Sequence, residues 1–428
     1  MSATAALLEF VGAEHRLAPD VRGAAERLLA DTLAVGAAGV DAPGEAAVLA
    51  AARAFGAGGE ARLLGTQERL PAPSAAFVNG YRIHCLEWDA VHEGAVVHAL
   101  SVVTAALGAA IDRRGGCDAD AALTALAVGV DVAAGLGIGA TSGLRFFRPA
   151  VAGVMGAALA VARLDGAPLA DALGLAYSSA AGTMQAHVEG SPTLPFQIAN
   201  AARAAIVASD LAAAGFSGPK DPIEGPFGYF RLFEDGELDG YAATLGQVWR
   251  ITEISMKPYP SGRASHAMLG ALAALSPDRA SIAAIELAAP PLIHRLVGRP
   301  YRPDMTPAYA RLCLPFLTAL MLTDGRIDPR RFTPEGFADS ALAALAAKVR
   351  LVPDGNDDPN ALFPQRLTII DGAGRRTDHP VAHTLGSPDN PLDAAELAAK
   401  RDLTRALASA DAHPRIFYQP LAYFTEPQ

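Results

Sequence analysis

The feature that most constrains the fold is a series of segments that are apolar on nearly every side. The segment ALTALAVGVDVAAGLGIGA, at residues 122–140, offers no wide polar face to solvent. A helix of this kind is stable only when other helices surround it. Alanine and leucine, both strong helix formers, supply much of the 51% hydrophobic content. The sequence therefore predicts a mostly α protein with a large helical core.

Apolar residues recur at helical spacing through the first half of the chain, with glycine, proline and Asp/Ser clusters between the segments. This pattern predicts helices at residues 21–38, 73–88, 97–113, 118–140, 150–164, 168–184 and 197–214. After residue 215 the chain becomes richer in proline, glycine and β-branched residues. There we expect strands at 248–255, 281–289, 348–354, 366–372 and 378–385. Further helices are expected at about 262–275, 307–323 and 337–348.

The order of these segments predicts two domains in a chain of 428 residues. Helical spacing returns from Asp393 onward, after the β-rich part. We interpret residues 1–255 plus 392–428 as a large all-helical domain. The smaller α+β domain, residues 256–391, is then an insertion into it.

The charge balance argues against nucleic acid as a partner. There are 45 acidic and 35 basic residues, the formal net charge is −10, and no block of five like charges occurs. Only four of the basic residues are lysines, namely Lys220, Lys257, Lys348 and Lys400. A lysine at a special position is therefore informative in this chain.

Several features predict a soluble cytoplasmic protein. The three cysteines lie far apart without a CxxC pair, which fits a reducing compartment. The N-terminus has no basic region and carries Glu9 and Glu14, so it does not resemble a signal peptide. The longest apolar stretches are residues 149–162 and one interrupted by Asp131, and both are too short to span a bilayer. We therefore expect no membrane association.

A first candidate site is HCLEWDAVHEGAVVH, at residues 84–98, which combines His84, Glu87, Asp89, His92 and His98. On a continuing helix, His84 with Glu87 and Asp89 with His92 would be neighbours three positions apart. A carboxylate beside an imidazole suits proton transfer. A solvated helix end is the ordinary alternative. A zinc site built from His and Asp is another alternative, although the spacing matches no HExxH motif.

A second candidate site is KPYPSGRASH, at residues 257–266. Its prolines and glycine predict a rigid turn before a helix, with Lys257, Arg263 and helix N–H groups available to an anion. His266 would lie about one turn into that helix. An ordinary capped turn is the alternative. Arg148, which opens a buried segment, is a weaker candidate for a carboxylate contact, and His187 can belong either to a site or to the surface.

Taken together, these residues indicate acid–base chemistry on a small anionic substrate, in a buried helical pocket. The two candidate sites also resemble motifs of the MmgE/PrpD (2-methylcitrate dehydratase) family. That family includes cis-aconitate decarboxylase and iminodisuccinate epimerase. The resemblance is carried by AAFVNGYRIHCLEWDAVHEGAVVH, GFSGPKDPIEGPFGYF, KPYPSGRASH and LGSPDNPLDAAELAAK.

The resemblance implies a large helical domain, an α+β lid domain, a homodimer and an active site between the domains. It implies no metal and no organic cofactor. Carried over by motif position, the catalytic residues are Glu87, Asp89, His98 and His266. The residues expected to bind a carboxylate substrate are His92, Arg148, Lys257 and Arg263.

The chain also departs from the family motifs. Phe147 and Arg148 stand where the family often has a histidine, Leu194 replaces a lysine and Phe316 replaces a tyrosine. Gln197, Ala90 and Ala99 replace a histidine, an acid and a proline. Leucine cannot supply the positive charge of a lysine, and phenylalanine cannot supply the phenol proton of a tyrosine. We therefore expect poor catalysis of 2-methylcitrate dehydration and of cis-aconitate decarboxylation.

The resulting hypothesis is a cofactor-independent lyase, dehydratase-like, that removes a proton next to a carboxylate of a small organic acid. An isomerase or epimerase using the same pocket is one alternative, since it needs only proton removal and return. A non-catalytic binding protein is a second alternative. A metal-dependent hydrolase is a weaker third.

Overall fold

Helices dominate the first half of the chain in the computed structural model, which describes residues 2–427. The helices up to residue 242 are Ala3–Gly12, Pro19–Ala38, Glu45–Ala54, Ala72–His84, Ala99–Arg114, Ala119–Ile138, Arg148–Val151, Gly153–Asp165, Leu169–Ser178, Gln185–Glu189, Thr193–Ala213, Tyr229–Leu232 and Asp239–Ala242. The later helices are His266–Leu275, Pro291–Val297, Pro307–Ala310, Leu314–Asp324, Pro334–Phe337, Ser340–Ala346, Ala394–Leu407, Arg415–Tyr418 and Pro420–Thr425. The prediction of a mostly helical protein is confirmed.

The helices Ala119–Ile138 and Gly153–Asp165 cross at a pair of glycines. A Cβ atom added at Gly156 would collide with the carbonyl oxygen of Gly129, so the two backbones touch with no side chain between them. Glycine is required here for close approach of the backbones. The crossing lies in the centre of the helical core.

Replacement of Gly156 by alanine is expected to destabilise the protein by about 1–3 kcal/mol, because the obstructing atom belongs to the backbone. Gly240→Ala is the matched control, since a Cβ atom there meets nothing within 4 Å. The free energy of unfolding, measured by urea denaturation, should fall for the first variant and stay within about 0.5 kcal/mol for the second. Equal stabilities of the two variants would contradict this account of the crossing.

The helix Ala119–Ile138 is the one helix in residues 2–427 that is long and apolar enough to cross a bilayer. Its apolar window is 89% buried inside the protein, as expected of a core helix. The helix expected at 118–140 is confirmed and runs through Asp131, but the expectation that its apolar stretch is too short to span a bilayer is wrong by length and composition. Its buried carboxylate accepts hydrogen bonds from the Tyr241 hydroxyl at 2.7 Å and the Arg250 backbone N–H at 2.8 Å.

A four-stranded sheet occupies the part of the chain that was predicted to be β-rich. Its spatial order is Val349–Pro353, Ile282–Ala289, Gln365–Asp371 and Arg376–Val381, with the first pair parallel and the others antiparallel. These strands agree with four of the predictions to within a few residues. The expected strand at 248–255 is mostly wrong, because Arg250–Glu253 forms a 3-10 helix and only Ile254–Ser255 is extended.

Two short ribbons complete the strands. One pairs Ala61–Arg62 with Arg69–Leu70, and the other pairs Val91–His92 with Ile254–Ser255. The second ribbon connects the first candidate motif to the segment just before the second. Together with the fold around it, this pairing brings residues 84–98 and 257–266 close together.

The helix Ala394–Leu407 packs against Pro19–Ala38, so the end of the chain returns to its beginning. Lys400 Nζ lies 2.5 Å from Asp31 Oδ1 and donates to the carbonyl oxygen of Trp88 at 3.3 Å. The last long helix therefore contacts the loop that contains Glu87 and Asp89. The division into a helical domain and an inserted lid at residues 256–391 stays a prediction.

Candidate active site

The first candidate motif does not continue as a helix beyond His84. The helix Ala72–His84 ends there, and the Glu87 backbone N–H donates back to the His84 carbonyl oxygen at 2.9 Å. Glu87 has a φ of +55°, which costs a residue with a side chain about 1–2 kcal/mol. The expected helix at 73–88 is therefore too long, because a left-handed turn redirects the chain at Glu87.

Asp89 is the centre of the buried polar cluster. Its Oδ2 atom lies 2.8 Å from His84 Nδ1 and 3.0 Å from His98 Nδ1, and it also accepts a hydrogen bond from the Ser101 hydroxyl. The two imidazole rings are 4.9 Å apart between centroids and nearly perpendicular. Asp89 therefore forms a hydrogen bond with His84 and lies within ion-pair distance of His98 Nδ1, which has no hydrogen-bond partner among residues 2–427.

Lys257 reaches this cluster from the second candidate motif. Its side chain is fully buried, and Nζ donates to the Glu87 carbonyl oxygen at 2.7 Å. The same nitrogen lies 3.3 Å from Glu87 Oε2 and 3.8 Å from Asp89 Oδ1. His84 Nε2 lies 3.6 Å from Glu87 Oε1. Positive and negative groups therefore alternate through the cluster.

This alternation determines the protonation states. Burial opposes ionisation of Glu87, but Lys257 and His84 outweigh it and lower its pKa to about 2. Burial also opposes ionisation of Asp89, yet the two histidines hold its pKa well below the ordinary value. Burial acts to lower the pKa of His84, but Asp89 and Glu87 raise it overall. For His98, burial prevails over Asp89 and the pKa is lowered, so its imidazole is neutral near pH 7.

A cavity lies against this cluster. Most of its wall is apolar and includes Phe147, Leu194 and Leu312. The ionisable side chains that line it are Glu87, Glu93, His98, Arg148, His187 and Arg263. A concave apolar site with a few converging polar groups is typical of small-molecule binding.

His187, which the sequence left open between site and surface, lies at this cavity. Its Nε2 atom is buried and has no hydrogen-bond partner among residues 2–427. Burial, together with the nearby Arg299 guanidinium, lowers its pKa to about 4. A second neutral imidazole therefore lines the cavity with His98. Its position before Gly190 in a turn between helices was the only signal in the sequence.

Arg148 and Arg263 both line the cavity, but other residues already engage them. Arg148 Nε lies 2.8 Å from Glu234 Oε1, and its Nη2 donates to the Ser142 carbonyl oxygen at 2.6 Å. Arg263 donates to Glu93 Oε1 at 2.8 and 2.9 Å and to a backbone carbonyl at 2.6 Å. These N–H groups are used within the protein rather than being free for a substrate.

His92 and His266 are not among the residues that line the cavity. His92 Nε2 lies 2.9 Å from Glu253 Oε2, so the expected pairing of Asp89 with His92 is wrong. His266 is fully buried, with Nε2 3.1 Å from the Ser261 hydroxyl. Burial and the adjacent Arg263 hold its pKa well below the ordinary value. The arrangement does not place His266 beside His98 at the cavity.

The departures from the family motifs fall in two environments. Phe147 and Leu194 line the cavity, where they make the wall apolar. Phe316 is fully buried in an aromatic cluster with Phe332 and Phe337, away from the cavity wall. Gln197 accepts a hydrogen bond from the Thr183 backbone N–H at 2.6 Å.

The weaker metal hypothesis also has a structural counterpart. The ligand atoms of His84, Asp89 and His98 lie within 4.8 Å of one another. However, His84 Nδ1 already bonds to Asp89, and Lys257 supplies a positive charge beside the same carboxylate. A cation would have to compete with this charge and displace the proton of His84. The residues fit a hydrogen-bonded network better than a metal site.

His187 provides a pH-dependent prediction. Its pKa is about 4 in the folded protein, against an ordinary value of 6.5 expected in the unfolded chain. Between these values the unfolded chain binds a proton that the folded protein does not, so stability falls as pH drops from about 6.5 to 4. His187→Gln should lose less stability than the unmodified protein between pH 7 and 5, measured by urea denaturation. Equal losses would contradict the assignment.

The helical core, the sheet and the histidine–carboxylate cluster at an apolar cavity define a helical protein with a candidate small-molecule site. Comparison with known families then identifies its relatives. The MmgE/PrpD N-terminal domain matches residues 11–240, and the MmgE/PrpD C-terminal domain matches residues 259–416. The chain belongs to the MmgE/PrpD family, as its motifs indicated.

The curated relatives are named as cis-aconitate decarboxylases, which are lyases. The cis-aconitate decarboxylase-like protein oryM of Aspergillus oryzae is 26% identical over 427 residues, covering 91% of this chain and 87% of that protein. The cis-aconitate decarboxylase of Mus musculus is 29% identical over 332 residues, covering 71% of this chain and 66% of the mouse protein. The Homo sapiens enzyme is also 29% identical over 332 residues, covering 71% and 67%. The two domain matches establish the family, and these relatives show that it includes lyases.

Proposed function

We propose that this chain is a cofactor-independent, dehydratase-like lyase that removes a proton from the carbon next to a carboxylate of a small organic acid. One observation carries the proposal. A neutral histidine, His98, lines the cavity, and its Nδ1 atom lies 3.0 Å from a buried ionised carboxylate, Asp89. Membership in a family with lyase relatives supports the same reaction class.

In this mechanism His98 is the general base. The Asp89 carboxylate favours the proton on His98 Nδ1 and leaves Nε2 to accept a proton from the substrate. The imidazolium that forms is stabilised by the same carboxylate. General base catalysis of this kind contributes about 10²–10⁴-fold.

Loss of the proton leaves an enolate-like intermediate, whose oxygen needs a positive or hydrogen-bonding neighbour. For dehydration, the protonated His98 then gives its proton to a hydroxyl that leaves from the same side of the substrate. One residue therefore serves as base and as acid in succession. The apolar wall of Phe147 and Leu194 limits water, which strengthens these electrostatic interactions.

An isomerase or epimerase is the second candidate, and a separate observation favours it. His98 and His187 belong to different segments of the chain, both have lowered pKa values and both line the cavity. In an epimerisation, one neutral imidazole takes the proton from the carbon, and the other must already be protonated so that it can return a proton to the opposite side. The loss of the family histidine, lysine and tyrosine positions affects this reaction less than dehydration.

Incubation of the purified protein with a panel of small di- and tricarboxylic acids in D₂O, followed by NMR, tests the proposal. Deuterium at the carbon beside a carboxylate, with an unsaturated product, supports the lyase. Deuterium in recovered acid with inverted configuration supports the isomerase instead. Binding of an acid without exchange supports the non-catalytic alternative, and loss of activity on chelation would revive the metal-dependent one. The panel includes 2-methylcitrate and cis-aconitate, for which we expect poor turnover.

A further inference from the structure

A second cavity lies beside the first. The two cavities share the side chains of Glu87, Leu194 and Leu312 in the wall between them. The second cavity is lined on its other sides by two arginines, Arg299 and Arg311. Of the candidate residues predicted from the sequence, Glu87 and His84 also line it.

Both arginines are more than nine-tenths buried, with exposed fractions of 8% for Arg299 and 4% for Arg311. Arg299 Nη1 donates to the Tyr309 carbonyl oxygen at 3.3 Å, whereas its Nη2 atom has no partner. Arg311 Nη1 donates to the Cys85 carbonyl oxygen at 2.9 Å, whereas its Nε atom has no partner. Each of these two cavity-lining arginines therefore carries a buried N–H group without a partner among residues 2–427.

Neither guanidinium forms an ion pair with an acidic side chain of residues 2–427. Glu87, the acid that lines this cavity, is already balanced by Lys257 at 3.3 Å and by His84 at 3.6 Å. Two buried positive charges thus lack a negative partner of their own. Such an arrangement is unfavourable unless an anion completes it.

The guanidinium group is suited to a planar anion such as a carboxylate, which can accept two parallel hydrogen bonds. We propose that the second cavity is a carboxylate subsite, in which Arg299 and Arg311 bind one carboxylate of a substrate that reaches past Leu194 into the first cavity. This inference rests on the proposed function and makes the substrate a dicarboxylate. The carbon that loses its proton then lies at His98, on the other side of the shared wall.

Diacids paired with monoacids of the same carbon number test the subsite directly. The probes are succinate with butyrate, glutarate with pentanoate, and adipate with hexanoate, and their affinities are measured by isothermal titration calorimetry. At least one diacid should bind about tenfold or more tightly than its partner, because a second charged group is satisfied. Arg299→Gln and Arg311→Lys should each lower the diacid affinity about tenfold or more and remove this preference.

Arg326→Gln is the control, because the Arg326 side chain is 64% exposed and Arg326 does not line either cavity. Circular dichroism and thermal melting establish that each variant is folded. Arg311→Lys keeps the positive charge but not the planar guanidinium, so it still tests the subsite if Arg299→Gln does not fold. Equal affinities for diacids and monoacids, or a preference unchanged in both arginine variants, overturn the subsite. If diacids bind more tightly than monoacids but no acid exchanges deuterium in D₂O, the subsite stands and the proposed function is overturned. If an acid exchanges deuterium but diacids bind no more tightly than monoacids, the proposed function stands and the subsite is overturned.

Discussion

Replacement of Lys257 by methionine is expected to cost about 3–5 kcal/mol of folding free energy, because it leaves buried carboxylates without their cation. Lys257 is fully buried, and its ammonium lies 3.3 Å from Glu87 Oε2 and 3.8 Å from Asp89 Oδ1. Methionine keeps most of the side-chain volume, so the loss of folding free energy reflects the missing positive charge. Urea denaturation at pH 7 measures the effect.

Lys220→Met provides the matched control. Lys220 pairs with Asp171 at 2.5 Å, but its side chain is 69% exposed, so its loss should cost no more than about 1 kcal/mol. A second variant, Glu87→Gln combined with Lys257→Met, should recover part of the lost stability by removing one of the unpaired charges. A loss for Lys257→Met as small as that of Lys220→Met would contradict this description of the cluster.

His98→Gln should reduce turnover, or deuterium exchange into the acid identified by the D₂O experiment, about 10²–10⁴-fold. Glutamine retains a hydrogen-bonding side chain toward Asp89 but cannot accept a proton near neutral pH. His383→Gln, at an exposed histidine, is the control and should keep near-normal activity. Both variants should melt within a few degrees of the unmodified protein.

The pH profile distinguishes a base from a merely structural residue. The activity of the unmodified protein should fall on the acid side as His98 becomes protonated, with a midpoint below the ordinary histidine value because its pKa is lowered. The residual activity of His98→Gln should lack this acid limb. Retention of the limb, or of near-normal turnover, would remove His98 from the mechanism.

Local patterns in the sequence were sufficient for much of the fold. The helix predicted at 197–214 lies within a few residues of the observed Thr193–Ala213. It was predictable because the residues on the buried face of a helix repeat every three to four positions in the sequence. The same reasoning extended the helix after Ala72 too far. The left-handed turn at Glu87 has no signal in the sequence, since non-glycine residues adopt that conformation only where the surrounding structure holds them.

The site was predictable in its residue types but only partly in its contacts. Glu87, Asp89, His98 and Lys257 do come together, although Asp89 pairs with His84 and His98 rather than with His92. Arg148 and Arg263 were expected to hold a substrate, and both have internal carboxylate partners instead. The arginines with spare N–H groups had no distinguishing local pattern. Whether a guanidinium has a partner depends on residues far away in the chain, which only the folded structure brings near.

The contact of Lys400 with Asp31 and Trp88 has a consequence for how the protein is made. During synthesis, residues 84–98 leave the ribosome about 300 residues before Lys400 does. Until then, Asp31 lacks its cation and the Trp88 carbonyl oxygen lacks its donor. A nascent chain that already carries every proposed proton-transferring residue therefore still lacks the contacts of Lys400 with Asp31 and with the loop at Trp88. Assembly of a competent site is delayed until synthesis is nearly complete.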